Sequence, residues 1–189
     1  MNYIVTSSNI NYLPFLYDFV ISLNELGKFN GNIIIFYYYE DGENLDILKN
    51  IFVYKNVKWI LINKNKSYHM VSNLYLDLYK YLFLFENDAK IAIYDNDIWF
   101  QSEINQLFIN SGENILASSE TFGDIFNKKH IDMFLKKHFD NYNSLNKSVY
   151  YNKIYDISKK YGDLVNGGFQ YGSKSRIDKM LKGMARFYN

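Results

Sequence analysis

The chain has 189 residues, 48% hydrophobic, 22% charged and 19% aromatic, with a formal net charge of +1 and no cysteine. That length and composition suit one globular domain with a sizeable core. The near-neutral charge argues against a dedicated nucleic-acid binder, which needs clustered Lys and Arg, and the lack of Cys excludes disulfides and thiolate metal sites.

In chain order, Tyr3-Ile4-Val5 is short, apolar and β-prone and runs into Thr6-Ser7-Ser8-Asn9, a polar loop. An amphipathic helix follows, with Pro14 suited to its first turn, Leu16, Val20 and Leu23 at helical spacing, and Gly27 as its stop. Asn32 to Tyr38 is a second strand whose continuous apolar run predicts burial on both faces, the habit of parallel strands covered by helices. Leu45, Leu48 and Phe52 mark a short helix, Val57 to Leu61 a third strand and Asn63 to Ser67 a polar loop. Leu74, Leu78, Tyr81 and Phe85 share one face of a longer helix, and Ala89 to Tyr94 is a fourth strand. Further on, Ile104, Leu107 and Phe108 suggest a short helix and Asn114 to Ser118 a strand running out at Ser119-Glu120. Thr121 to Tyr151 combines a helix around Ile131 to Phe139 with an Asn/Lys-rich insertion, and another helix covers Tyr155 to Lys160. Paired glycines in Gly162 to Ser173 allow close backbone approach, and a last helix spans Ser175 to Phe187. The longest apolar run, Ile33 to Tyr39, is far below the ~20 residues of a membrane helix, and the start lacks the pattern of a signal peptide. A soluble, cytoplasmic protein is expected. The joint abundance of Asn, Lys, Tyr, Phe and Ile, all with A/T-rich codons, accounts for the aromatic content better than any special binding use.

The β-α-β-α-β-α-β order predicts an open α/β sheet with right-handed crossovers, in which ligands bind beyond the C-terminal ends of strands. Thr6-Ser7 and Tyr94-Asp95-Asn96-Asp97 both fall at such ends. Residues two apart on an extended chain point to one side, so Asp95 and Asp97 can converge. Two carboxylates in apolar surroundings need a compensating cation or hydrogen bonds, and a hard divalent metal carrying a phosphate would supply it. With 13 Asp in the chain, about one Asp-x-Asp arises by chance. The shared strand edge is what lifts this one above it, against the plainer alternative of an Asp-Asn turn in a hairpin. No Gly-x-Gly-x-x-Gly or P-loop signature is present.

Across nearly its full length the chain resembles the GT-A glycosyltransferases. The resemblance rests on the first strand with its loop, Tyr94-Asp95-Asn96-Asp97, and Val165-Asn166-Gly167-Gly168-Phe169 about seventy residues on. Ile4 to Leu13 is similar to glycosyltransferase family 8, while Tyr161-Gly162-Asp163, Gly167-Gly168-Phe169 and Gly172-Ser173 are similar to family 6. The resemblance implies one GT-A-like domain, an open mixed, mainly parallel sheet flanked by helices. Residues 1–100 would form its nucleotide-binding half and 101–189 its acceptor-side half. It implies a hexosyltransferase with a uridine-diphosphate sugar donor, a carbohydrate or other hydroxyl acceptor and Mn2+ or Mg2+. Asp97 would ligate the metal, and Asp95 the metal or the donor ribose. Thr6, Ser7 and Tyr12 would hold the uridine, and Asn166, Gly167 and Gly168 would face the transferred sugar and the acceptor.

Asn166-Gly167-Gly168 also has a plainer reading as a tight turn before an edge strand. Glu120 is a candidate to touch the acceptor or act as base, against that of a solvated side chain. His69, His130 and His138 read as surface or helix-face residues. The chain departs from family 8 in having no His after His138 and no His-Gly-x-x-Lys-Pro-Trp-like segment, and Lys66 and His69 are the basic groups nearest the motif. A family 6 carboxylate downstream of the glycine pair is also missing. A nucleotidyltransferase and a non-catalytic nucleotide-sugar-binding domain of the same fold are the alternatives.

Overall fold

The computed structural model describes residues 1–50, 54–64, 70–109, 115–120, 136 and 164–188. Its strands are β1 (Asn2–Ser8), β2 (Asn32–Tyr39), β3 (Val57–Asn63), β4 (Lys90–Tyr94), β5 (Leu116–Glu120) and β6 (Leu164–Ser173). Its helices are α1 (Leu13–Glu25), α2 (Met70–Tyr81), α3 (Asn105–Ile109) and α4 (Lys174–Tyr188). Met1–Ala117 with Gly167–Asn189 forms one compact unit, and Ser118–Asn166 a second.

The strands form one six-stranded sheet in the order β3-β2-β1-β4-β6-β5. β3, β2, β1 and β4 are mutually parallel, and β6 pairs antiparallel with β4 from Lys90↔Ser173 to Tyr94↔Phe169. The expected open, mixed, mainly parallel sheet flanked by helices is what forms.

The continuous apolar run in β2 is buried on both faces. Ile33, Ile35 and Tyr37 join Leu16, Phe19, Val20 and Leu23 of α1, whereas Ile34, Phe36 and Tyr38 join Leu74 and Leu78 of α2 and Ile177 and Leu181 of α4. Alternation of side chains along each strand delivers the two layers. A buried pair, Tyr75 Oη donating to Gln170 Oε1 at 2.6 Å, links α2 to β6.

Chain direction places a crevice. From β1 the chain steps through α1 to β2 and on to β3, then returns through α2 to β4 on the opposite side of β1. The chain thus builds outward from β1 on one side and, after β3, on the other, so β1 and β4 flank the switch point where an open α/β sheet accepts ligands, beyond their carboxyl ends.

Several local expectations change. The strand does not give way to a loop at Thr6; β1 runs to Ser8 because its ladder with β2 continues to Ser8↔Tyr37, and Thr6, Ser7 and Ser8 are buried within it. Small hydroxyl side chains fit under the neighbouring cover without leaving the ladder. The segment from Leu45 to Asn50 is a 3-10 helix, and α2 ends at Tyr81, followed by a 3-10 turn at Leu82–Leu84 that still buries Phe85. β5 begins two residues later than expected. Gly167 and Gly168 belong to strand β6, an interior strand rather than a turn before an edge. Gly27 lies just past the end of α1, where its lack of a side chain permits a close approach, since a Cβ there would lie 2.7 Å from the Leu23 carbonyl oxygen; the positive φ of 48° falls on Lys28 instead. The helices expected around Ile131 to Phe139 and Tyr155 to Lys160 lie outside the described residues apart from Lys136, as do Phe52, Lys66, His69, His130 and His138. No helix among the described residues is long and apolar enough to cross a membrane.

Candidate functional site

Tyr94, the last residue of β4, sits in an aromatic nest. Its ring lies 4.7 Å from that of Phe169, 5.3 Å from Phe100 and 6.4 Å from Phe19. Burial pushes its hydroxyl pKa up to about 12. The acid pair follows on this apolar floor.

After Tyr94 the backbone leaves the strand and turns at Asn96 and Asp97. The strictly extended geometry assumed for the two acids is therefore replaced by a turn, yet the carboxylates still interact. Asp95 is half-buried and Asp97 exposed, and the Asp95 pKa is raised first by burial and then by the charge of Asp97. Among the described residues, neither carboxylate has a hydrogen-bond donor or a cation beside it. The turn does not close a hairpin, because the antiparallel partner of β4 is β6, from a distant part of the sequence.

Three contacts fix this turn. Asp95 N–H donates to Gly168 O at 3.0 Å, extending the β4–β6 pairing by one step. The buried Asn96 gives its Nδ2 to Ser8 Oγ at 3.0 Å, tying the motif to the end of β1. Phe100 N–H donates to Ser22 Oγ of α1 at 3.2 Å. Two clusters separated by almost ninety residues thus meet at the switch point. Asn96 and Ser8 are the site-building residues that sequence reasoning passed over; the one signal for Asn96 was a polar residue interrupting an apolar run without being an acid.

The remaining candidates divide. Gly168 lies beside Asp95. Thr6 follows Ile4 toward α1, while Ser7 follows Tyr3 and Val5 toward α2 and α4, so the two hydroxyls face opposite sides of the sheet. Thr6 is fully buried, and its Oγ1 has no hydrogen-bond partner among the described residues. Asn9 Oδ1 accepts from Asn11 N–H at 3.0 Å, capping a 3-10 turn that presents Tyr12, 42% exposed, at the same sheet end. Gly167 and Asn166 lie in β6 and Glu120 at the end of β5; their side chains are outside the described residues.

Two expectations follow from this geometry. Asn96→Ala deletes a buried hydrogen bond while Ser8 Oγ keeps its donation to Asn9 O at 3.3 Å, so the cost is about 1 kcal/mol. Thermal melts should show it, and the effects of Asn96→Ala and Ser8→Ala should be less than additive because the two groups share one bond. Asp95→Asn should do the opposite in metal-free protein. A carboxyl whose folded pKa lies above its ordinary 3.8 costs stability as pH rises through that window, and the cost is complete at neutral pH. Because Asp95 is only half-buried, solvent screens part of this cost, and its relief should appear as a small rise in Tm. The gain should be present at pH 7 and vanish below the ordinary carboxylate value.

The donor chemistry fits a hard divalent cation. Two carboxylates stand close without compensation, and no cluster of three His, Cys, Asp or Glu occurs among the described residues. An ion such as Mg2+ or Mn2+ would then complete its shell with phosphate oxygens and water, as Mg2+ commonly does.

No protein-family model matches the chain, and no curated protein sequence does. Solved structures do. The chain resembles the galactosyltransferase LgtC in complex with donor and acceptor sugar analogues, with TM-score 0.55 and 14% identity over 100% of this chain and 65% of that one. An active-site mutant of LgtC gives TM-score 0.54 and 13% identity over 95% of this chain and 59% of that one. The glycosyltransferase GlyE of Streptococcus pneumoniae TIGR4 gives TM-score 0.50 and 14% identity over 95% of this chain and 36% of that one. The chain spans between 36% and 65% of the length of these proteins. The likeness is one of fold, and the fold is that of the GT-A glycosyltransferases.

Proposed function

We propose that this chain is a glycosyltransferase domain that binds a uridine-diphosphate sugar through Mn2+ or Mg2+ held by Asp95 and Asp97, and passes its hexose to a carbohydrate hydroxyl. The observation that carries the reading is the uncompensated acid pair at the switch point between β1 and β4, on a fold shared with glycosyltransferases. When bound, the cation would act as a Lewis acid toward the diphosphate leaving group.

The chain's own residues supply the rest. Asp97, exposed on the turn, would reach the ion directly, and Asp95 would contribute a second oxygen or hold the donor ribose. Asn96 and Gly168 keep both acids in place before any ligand arrives, so little ordering cost falls on binding. Tyr12 offers an exposed ring at the end of β1 for the uracil, while Thr6 and Ser7, buried on opposite faces of β1, would act from beneath by holding the strand end. Gly167 and Gly168, without side chains, would leave room for the transferred sugar. Asn166 and Glu120 are proposed on the acceptor side, Asn166 orienting the sugar and Glu120 contacting the acceptor or serving as base.

The products decide among the readings. Incubation with UDP-hexoses, Mn2+ and a panel of glycan acceptors should release UDP. Pyrophosphate release from UTP and a sugar phosphate would identify a nucleotidyltransferase instead. Donor binding with neither product would identify a non-catalytic domain of the same fold.

A further inference from the structure

At the other end of β4, about 17 Å from the acid pair by strand rise, lies a second feature that the donor site does not use. A cleft of about 450 Å3 opens where the turn after α2 meets the first turn of α4, lined by Leu82, Phe83, Asn87, Lys174, Ser175 and Asp178. Its volume suits a small ligand.

The lining specifies which kind. Phe83 is 74% exposed, a costly position for a phenyl ring unless something covers it. Its ring stacks on Tyr81 with centroids 6.1 Å apart and planes at 28°, which fixes its tilt and leaves a flat apolar face. Around that face stand groups able to give and take hydrogen bonds. Asn87 presents an exposed amide. Ser175 is exposed in the first turn of α4, between Lys174, whose N–H is bound by Ala89 O, and Arg176, whose N–H is bound by Ser173 Oγ. Ser175 thus brings a hydroxyl and a helix-terminal N–H with no acceptor among the described residues.

Charge narrows the choice. The Lys174 ammonium donates to Phe85 O, and Asp178 places a carboxylate in the lining, itself paired with Lys182 at 2.6 Å. An anion would meet the Asp178 carboxylate with the one lining cation already engaged. A purely apolar ligand would strand Asn87, Ser175 and Asp178. A ring with an apolar C–H face and hydroxyls at its edge satisfies all of them. We propose that this cleft is a binding site for a neutral pyranose, a carbohydrate subsite separate from the acid pair. The assignment does not rest on the transferase reading.

Saturation-transfer NMR on the full chain tests it, with D-glucose, D-galactose and N-acetyl-D-glucosamine as probes at about 10 mM, where weak contacts register. EDTA keeps the acid pair free of metal; mannitol and inorganic phosphate serve as controls. We expect transfer to the ring C–H protons of at least one pyranose and none to mannitol. Phosphate should not compete. In Phe83→Ala the signal should fall about three- to tenfold, the worth of one aromatic contact, and Asn87→Ala should also weaken it. Both side chains are exposed, so unchanged melting temperatures should accompany these losses. Absence of transfer to all three sugars, transfer undiminished in Phe83→Ala, or displacement by phosphate would each overturn the proposal.

Discussion

An Asp97→Asn chain should gain no melting temperature when Mn2+ is added to UDP, whereas the parent chain at about a hundredfold excess over Kd should gain roughly 5–10 °C. The substitution keeps the size of the side chain and removes one of two charges facing the proposed ion. Asp97 is exposed and makes no hydrogen bond or ion pair among the described residues, so its replacement should leave the unliganded fold intact. That separates loss of binding from loss of structure. The unliganded variant should melt within about 1 °C of the parent, as surface substitutions usually do. A metal-dependent gain that survives would remove Asp97 from the site.

Gly31→Ala should produce the largest loss of stability. A Cβ at Gly31 would lie 2.3 Å from the Asn2 carbonyl oxygen and 2.5 Å from Phe29 Cζ. The ring could give way, but the Asn2 carbonyl belongs to β1, next to the start of its pairing with β2 at Tyr3↔Asn32. Gly31 O also accepts from Asn56 Nδ2 at 3.1 Å, so the loop before β2 is held from the far side as well. With backbone on one side and a fixed loop on the other, the cost falls at the upper end of overpacking penalties, about 3 kcal/mol. That corresponds to roughly 6–12 °C in Tm. Chemical denaturation should show a lowered midpoint with an unchanged m-value, because the surface exposed on unfolding is the same. An unaltered midpoint would mean that β1 and β2 are not seated as described.

The layers of the fold were legible because their signals are local. Ile33 to Tyr38 reads as a doubly covered strand from hydrophobicity alone, and Leu16, Val20 and Leu23 reveal the buried face of α1. The position of the acid pair was legible for the same reason, as the polar end of an apolar strand. Its support was not. Asn96 to Ser8 is a hydrogen bond between residues 88 apart; Asn96 stands out locally only as a polar break in an apolar run, and nothing local pairs it with Ser8. Thr6 to Ser8 looked like a loop by residue type, but strand pairing overrode composition. The plainer alternative for the glycine pair was a turn, where glycine is often found; in β6 it lies along a ladder instead, where Gly168 O receives the Asp95 N–H. Phe83 escaped notice because the helical spacing from Leu74 to Phe85 leaves it off the buried face, and only the three-dimensional neighbourhood shows a cleft beside it.

The acids after β4 are proposed to anchor a metal–nucleoside-diphosphate complex. Calorimetric titration of UDP into the unmodified chain, once with Mn2+ and once with EDTA, tests it most directly. At least about tenfold tighter binding with Mn2+, a difference of about 1.4 kcal/mol, is the predicted result. Equal affinity in the two titrations, or no binding in either, would contradict it.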